Sequence, residues 1–276
     1  MLHPLAGIIL FAKMTLKENL RNRSLGYLVL FAIIASAGVL LFVDFSLQEQ
    51  TKIIKDVCFS SMIFFSVIMA IFLGMRQIEN DFETKTIYQV TTNPVNLSHY
   101  LAGRIVAMMV IIGGALTLMC LLFFCVLKVQ QLGFKMSVAD EAAAFDAGSI
   151  FTTDFLRAAI VIFLQAVVMN VISFFWSGLV KGPKIFLLCL LFYVAGHLSE
   201  LFSQMISGFH KIFSFFMCLV FLWIPNLAYF NLTDSITLGQ SPSWEHILNL
   251  LGYALVFVAT YSIMTYAVLI RRLEET

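Results

Sequence analysis

The sequence predicts an all-α polytopic membrane protein with six transmembrane helices. Three observations predict it. Of 276 residues, 61% are hydrophobic and only 12% charged, about half the charged share of a soluble domain. Apolar runs recur at 25–43, 57–75, 105–127, 155–180, 185–203 and 248–270, and a bilayer-crossing helix needs about 20 such residues. Between the second and third runs lies a polar island, Arg76 to Arg104, anchored at both ends. The net charge of +1 gives no reason to expect a nucleic-acid partner.

Taken in order, residues 1–24 predict an interfacial helix. Leu5, Ile8, Ile9, Ala12, Leu16 and Leu20 recur at helical spacing, and Lys13, Lys17 and Arg21 form a second stripe beside them. That is the pattern of a basic amphipathic helix lying in the headgroup region. No compact apolar run followed by a small-residue cleavage site stands here, so no signal peptide is expected. The first and second spans follow.

The island reads RQIENDFETKTIYQVTTNPVNLSHYLAGR. Ile78, Phe82, Ile87 and Val90 keep mostly helical spacing, with Glu79, Asp81, Glu83 and Lys85 between them. Two readings fit: an amphipathic helix at the membrane surface, or a solvated loop. Asn93-Pro94 breaks the pattern, since proline disfavours a helical residue before it. Asn96 or Ser98 can cap the helix that leads into the third span.

Beyond the third span, residues 128–154 form an outer loop with room for a small amphipathic helix. Residues 204–247 form a second. It holds the apolar stretch 212–230, where Trp223, Pro225, Asn226 and Tyr229 bring a breaker and interfacial aromatics. This stretch is read as re-entrant or interfacial rather than as a seventh span. The whole chain, 1–276, reads as one transmembrane domain.

Basic residues orient it. With the N-terminus inside, eleven of the 17 lysines and arginines fall on the inner side. They include Lys13, Lys17, Arg21, Arg76, Arg104, Lys181 and the Arg271-Arg272 pair. The positive-inside bias places both termini and the island in the cytosol. The five cysteines, Cys58, Cys120, Cys125, Cys189 and Cys218, all lie in apolar runs without a C-x-x-C pair. They read as small apolar residues rather than metal ligands or disulfides.

Few residues carry chemistry. No Walker A sequence is present, so the chain has no such ATP site of its own. His197 and Glu200, one turn apart in the fifth span, share a helix face. Ionisable residues inside a span are costly and point to a functional role. A structural or gating role is favoured over chemistry, because a metal would need further ligands. In the fourth span, Gln165 adds an amide, and Asn170, Ser173 and Ser177 share a face. They suit either a substrate route or the small polar contacts that hold membrane helices together, and the second is favoured.

The island also carries a resemblance. Glu79, then Glu83-Thr84-Lys85-Thr86-Ile87-Tyr88, then Asn93-Pro94-Val95, then Tyr100-Leu101-Ala102-Gly103-Arg104 resemble the signature of ABC-2 type permeases, the membrane subunits of ATP-binding-cassette transporters. Arg104 stands where lysine is more usual in that family, which keeps the charge. The resemblance implies that the island holds a coupling helix, with Glu79, Glu83, Thr86, Ile87, Tyr88 and Pro94 as its contact residues. It implies two cytosolic ATPase subunits that bind ATP and Mg, with no cofactor in this chain. It further implies a second permease copy or a homologous partner, and a prokaryotic inner membrane. Export of a lipidic, amphiphilic or envelope-related substrate is the expected activity, and the chain itself is not expected to be an enzyme. The alternative from the residues alone is an ion-coupled carrier, or an intramembrane enzyme using His197 and Glu200.

Overall fold

A computed structural model of the chain describes residues 4–21, 26, 47–84, 87, 97–137, 153–206, 223–231 and 243–274. Those residues form six α-helices and one short 3-10 helix, with no strand among them. The helices are α1 (Pro4–Leu20), α2 (Leu47–Glu83), α3 (Leu97–Ser137), α4 (Thr153–Leu179), α5 (Lys184–Ile206) and α6 (Trp244–Glu274). The 3-10 helix, Leu227–Phe230, lies between α5 and α6.

Four helices are long and apolar enough to cross a membrane: the parts of α2 from Asp56 to Glu83, of α3 from Leu97 to Cys125, of α4 from Phe155 to Leu179, and all of α6. These mark a multi-pass membrane protein. They correspond to the second, third, fourth and sixth expected spans. The fifth expected span lies within α5, whose apolar portion Lys184–Ser199 is shorter. The first, 25–43, falls outside the described residues except for Gly26.

α4 is the centre of the bundle. It packs against α2, α3, α5, α6 and the 3-10 helix. The apolar part of α4 is 78% buried within the protein, against 22% in α6. α6 therefore presents one stripe inward, Ile247, Leu250, Ala254, Tyr261, Thr265 and Leu269, at the three- and four-residue steps of a helix face. Its other sides expose Leu248, Leu255, Val256 and Ile263, as lipid contact demands.

A close crossing joins α2 to α4 at Gly74. A Cβ there would lie 2.6 Å from the Asn170 carbonyl oxygen and 2.8 Å from Ser173 Cβ. Glycine thus lets two backbones approach as membrane helices do when packing, rather than hydrophobicity, must hold them. The α4–α5 connection is short. Gly182 turns it with φ of 81°, a region that other residues seldom adopt, and Pro183 precedes α5.

α2 departs from the surface-helix expectation. It runs unbroken for 37 residues, so Arg76 to Glu83 are the last turns of the second span's own helix. Arg76, Gln77, Glu79 and Glu83 are good helix formers, and no glycine or proline between Met75 and Glu83 breaks the ladder. Of the expected apolar positions, Ile78 and Ile87 are fully buried, Phe82 is half-buried, and Val90 lies outside the described residues.

Candidate functional site

The polar residues at the end of α2 and the start of α3 form one connected network. Tyr100 and Arg104 lie four residues apart on α3 and so share a face. The Tyr100 hydroxyl donates to Asp81 Oδ2, and Arg104 Nη2 donates to Asp81 Oδ1. Both carboxylate oxygens of Asp81 are thereby satisfied, which a buried charge requires. The Arg104 Nη1 group donates to Thr15 Oγ1 at 2.9 Å and to Glu18 Oε2 at 3.0 Å, both on α1. Gln77 lies between Asn19 and Arg104 with its carboxamide within hydrogen-bonding distance of both. Asn19 Nδ2 also donates to the Thr15 carbonyl, and Asn80 Nδ2 donates to Glu18 Oε1 at 2.5 Å. Glu18 is the open end of the network, its side chain 42% exposed, while those of Arg104 and Asp81 are 5% and 1%.

Gly103 makes this junction fit. A Cβ on it would come within 2.7 Å of Phe11 Cβ and 2.8 Å of the Ile8 carbonyl oxygen. The Gly103-Arg104 pair thus performs two tasks in sequence: a close crossing of α3 with α1, then a charge that ties α1 to α2. Phe11 meets the Tyr100 ring edge-on at 5.6 Å.

A second set of contacts joins the same end of α2 to the rest of the bundle. Glu79 Oε1 accepts the Gly182 N–H at 3.0 Å, so the α4–α5 turn is held by the island's first acidic residue. Arg272, near the end of α6, donates to the Gly178 carbonyl at 3.2 Å and covers the Phe82 ring at 4.0 Å. Glu83 is exposed and lines a recess of about 180 Å³ with Glu79, Phe82, Ser177, Lys181 and Arg272. Lys181 and Arg272, two of the cations that the sequence assigned to the inner side, thus meet at the end of α2.

Of the expected coupling residues, Glu79 and Glu83 sit at this end, and Ile87 is buried. Thr86, Tyr88 and Pro94 lie outside the described residues. The fourth-span polar residues act as contacts between helices: Asn170 Nδ2 donates to the Ala70 carbonyl at 2.8 Å and Ser173 Oγ to the Ile71 carbonyl at 2.7 Å. Ser177 turns back to its own helix, donating to the Phe174 carbonyl. These three are buried. Gln165 pairs with a residue that the spacing argument had linked elsewhere: its Nε2 lies 3.1 Å from His197 Nε2. The His197 ring packs edge-on against Tyr193 at 4.7 Å. Glu200 is in α5, and its side chain is outside the described residues.

The aromatic segment after the undescribed stretch 207–222 is clamped between α5 and α6. Gly196 leaves space for it: a Cβ there would be 2.7 Å from the Pro225 carbonyl oxygen and 2.8 Å from Leu227 Cγ. Asn226 caps the 3-10 helix by accepting the Ala228 N–H at 3.0 Å. Tyr253 Oη accepts the Asn226 N–H, and Tyr261 Oη donates to the Trp223 carbonyl.

Sequence reasoning missed Asp81, Tyr100, Asn19 and Gln77 as a set. The usable signal was a Tyr-x-x-x-Arg face next to a carboxylate at the edge of an apolar span. No protein-family model matches the chain, and no curated protein matches it.

Proposed function

We propose that this chain is the permease subunit of an ATP-driven ABC transporter of the ABC-2 type. On this reading it is an exporter of a lipidic, amphiphilic or envelope-related substrate in a prokaryotic inner membrane. Both termini and the island are cytosolic, and separate ATPase subunits bind ATP and Mg and engage the segment between Glu79 and Pro94. A second copy of the chain or a homologous permease completes the pathway.

One observation carries the reading. Both helices that flank the island are fixed, at the island's end of the bundle, to the rest of the protein. α2 and α3 are tied to α1 through Asp81, Arg104 and Glu18, and α2 is tied to the α4–α5 turn through Glu79 and Gly182. A push on residues 84–96 would reach α2 and α3 directly and the central helix α4 through that turn. Packed elements with alternative arrangements are what transmit such a push. The island's resemblance supplies the partner; the network supplies a route for the force.

The test is purification from native membranes in mild detergent, followed by mass spectrometry of the co-purifying proteins. The reading expects a stoichiometric ATPase that is lost in Tyr88→Asp. A chain that arrives alone after crosslinking would transfer the weight to a carrier or enzyme built on His197 and Glu200.

A further inference from the structure

Between α1, the end of α2 and the start of α3 lies a cleft of about 720 Å³. The buried Arg104 network forms its floor. Its charged lining comprises four cations, Lys17, Arg21, Arg76 and Arg104, and two carboxylates, Glu18 and Asp81. Arg104 bonds both carboxylates, and the lining cations outnumber the lining carboxylates by four to two. On the α1 side the cleft has an apolar strip, with Phe11 half-buried and Met14 54% exposed, while Asn80 and Thr84 line the α2 side. The outward side of α1 has the same mixed character. Ile9 and Leu20 are exposed at 64% and 71%, beside exposed Lys13 and Lys17. Long aliphatics alternating with cations on one exposed helix surface suit the boundary between headgroups and acyl chains.

We propose that this cleft binds one anionic phospholipid of the adjacent leaflet. Its phosphate sits among Lys17, Arg21 and Arg76, and its upper acyl chain lies along Phe11 and Met14. Cations near an anionic bilayer surface each add attraction for such a lipid. The apolar strip favours a lipid over a soluble anion, which would leave the exposed Met14 side chain uncovered. The lipid would then brace α1 against α2, on the open side of the Arg104 network where Glu18 meets solvent. The inference requires only that α1 lies in the interface and is independent of any ATPase.

The experiment uses the full chain in mild detergent, mixed with phosphatidylglycerol or with phosphatidylcholine of matched chains, and counts retained lipid by native mass spectrometry. Phosphatidylglycerol should be retained at one per chain, in preference to phosphatidylcholine. The double variant Lys17→Gln/Arg21→Gln should lower that retention about tenfold or more, given the attraction lost with each cation. Lys17→Arg/Arg21→Lys should preserve it. So should Lys181→Gln/Lys184→Gln, which removes two exposed cations from the α4–α5 turn and the start of α5. Should the first variant fail to fold, Arg76→Gln on the opposite wall provides the same reading. Equal retention of the two lipids, or unchanged retention in the glutamine variants, would overturn the proposal. Displacement of the lipid by inorganic phosphate would also overturn it, by identifying a soluble-anion site.

Discussion

Arg104 and Asp81, 23 residues apart in the chain, form a buried ion pair across the contact between α3 and α2. Removing one partner from such a pair leaves an uncompensated charge and typically costs about 3–5 kcal/mol. Arg104→Ala should therefore lower the unfolding temperature of the purified protein sharply, as followed by tryptophan fluorescence. Arg104→Lys should fall between wild type and alanine, because an ammonium cannot reproduce the guanidinium fork that reaches Asp81, Thr15 and Glu18. Asp81→Leu/Arg104→Leu should recover much of the loss. A double variant worse than either single substitution would show that the pair is not the unit of stability.

Glycines allow close helix crossings at Gly74 and Gly103. Gly74→Ala places a methyl against the α4 backbone, where no side chain can move aside, and overpacking of this kind costs about 1–3 kcal/mol. Gly114→Ala, whose added Cβ meets nothing within 4 Å, should be silent. Thermal unfolding of the two variants side by side decides this: similar melting would mean that the α2–α4 crossing is looser than described.

Asn170 and Ser173 are predicted to hold α4 to α2 rather than to line a route. Asn170→Ala and Ser173→Ala should each cost about 0.6 kcal/mol, the average for hydrogen bonds between membrane helices, and leave substrate preference unchanged. An altered transport profile at unchanged stability would restore them to the pathway.

Ile87 and Tyr88 should separate under substitution, although they are neighbours in the motif. Ile87 is fully buried, so Ile87→Asp buries a charge without a partner and should reduce the amount of folded protein. Tyr88→Asp is expected to leave folding intact while abolishing ATPase association. Protease resistance and co-purification, measured on both variants, check the two outcomes. A stable Ile87→Asp protein would contradict the burial.

The long helices were legible because hydropathy is a property of single segments. The runs at 57–75, 105–127, 155–180 and 248–270 all reappear in helices of sufficient length. Partnership is a property of pairs, and this is where sequence reading fell short. Asp81 looked like one of several polar positions on a surface helix until Tyr100 and Arg104 were seen to close on it. The polarity of 76–83 suggested a separate element, yet helix propensity carries α2 straight through, and the network satisfies the polar groups. Spacing paired His197 with Glu200 along one helix; the fold brings His197 to Gln165 on α4, and the Glu200 side chain lies outside the described residues. The glycines at 74 and 196 carry no spacing pattern, and Gly103 stands out only within its motif; their packing roles appear when a second backbone lies against them.

The most direct test of the transporter reading is site-specific photocrosslinking in membranes from two exposed positions at opposite ends of the bundle, Glu83 on α2 and Trp244 at the start of α6. A photoreactive residue at Glu83 should crosslink to a cytosolic ATPase, with a yield that changes when nucleotide is added. The same residue at Trp244 should give no such product. Absence of an ATPase adduct from Glu83, or equal adducts from both positions, would contradict the assignment of this end of the bundle as the coupling face.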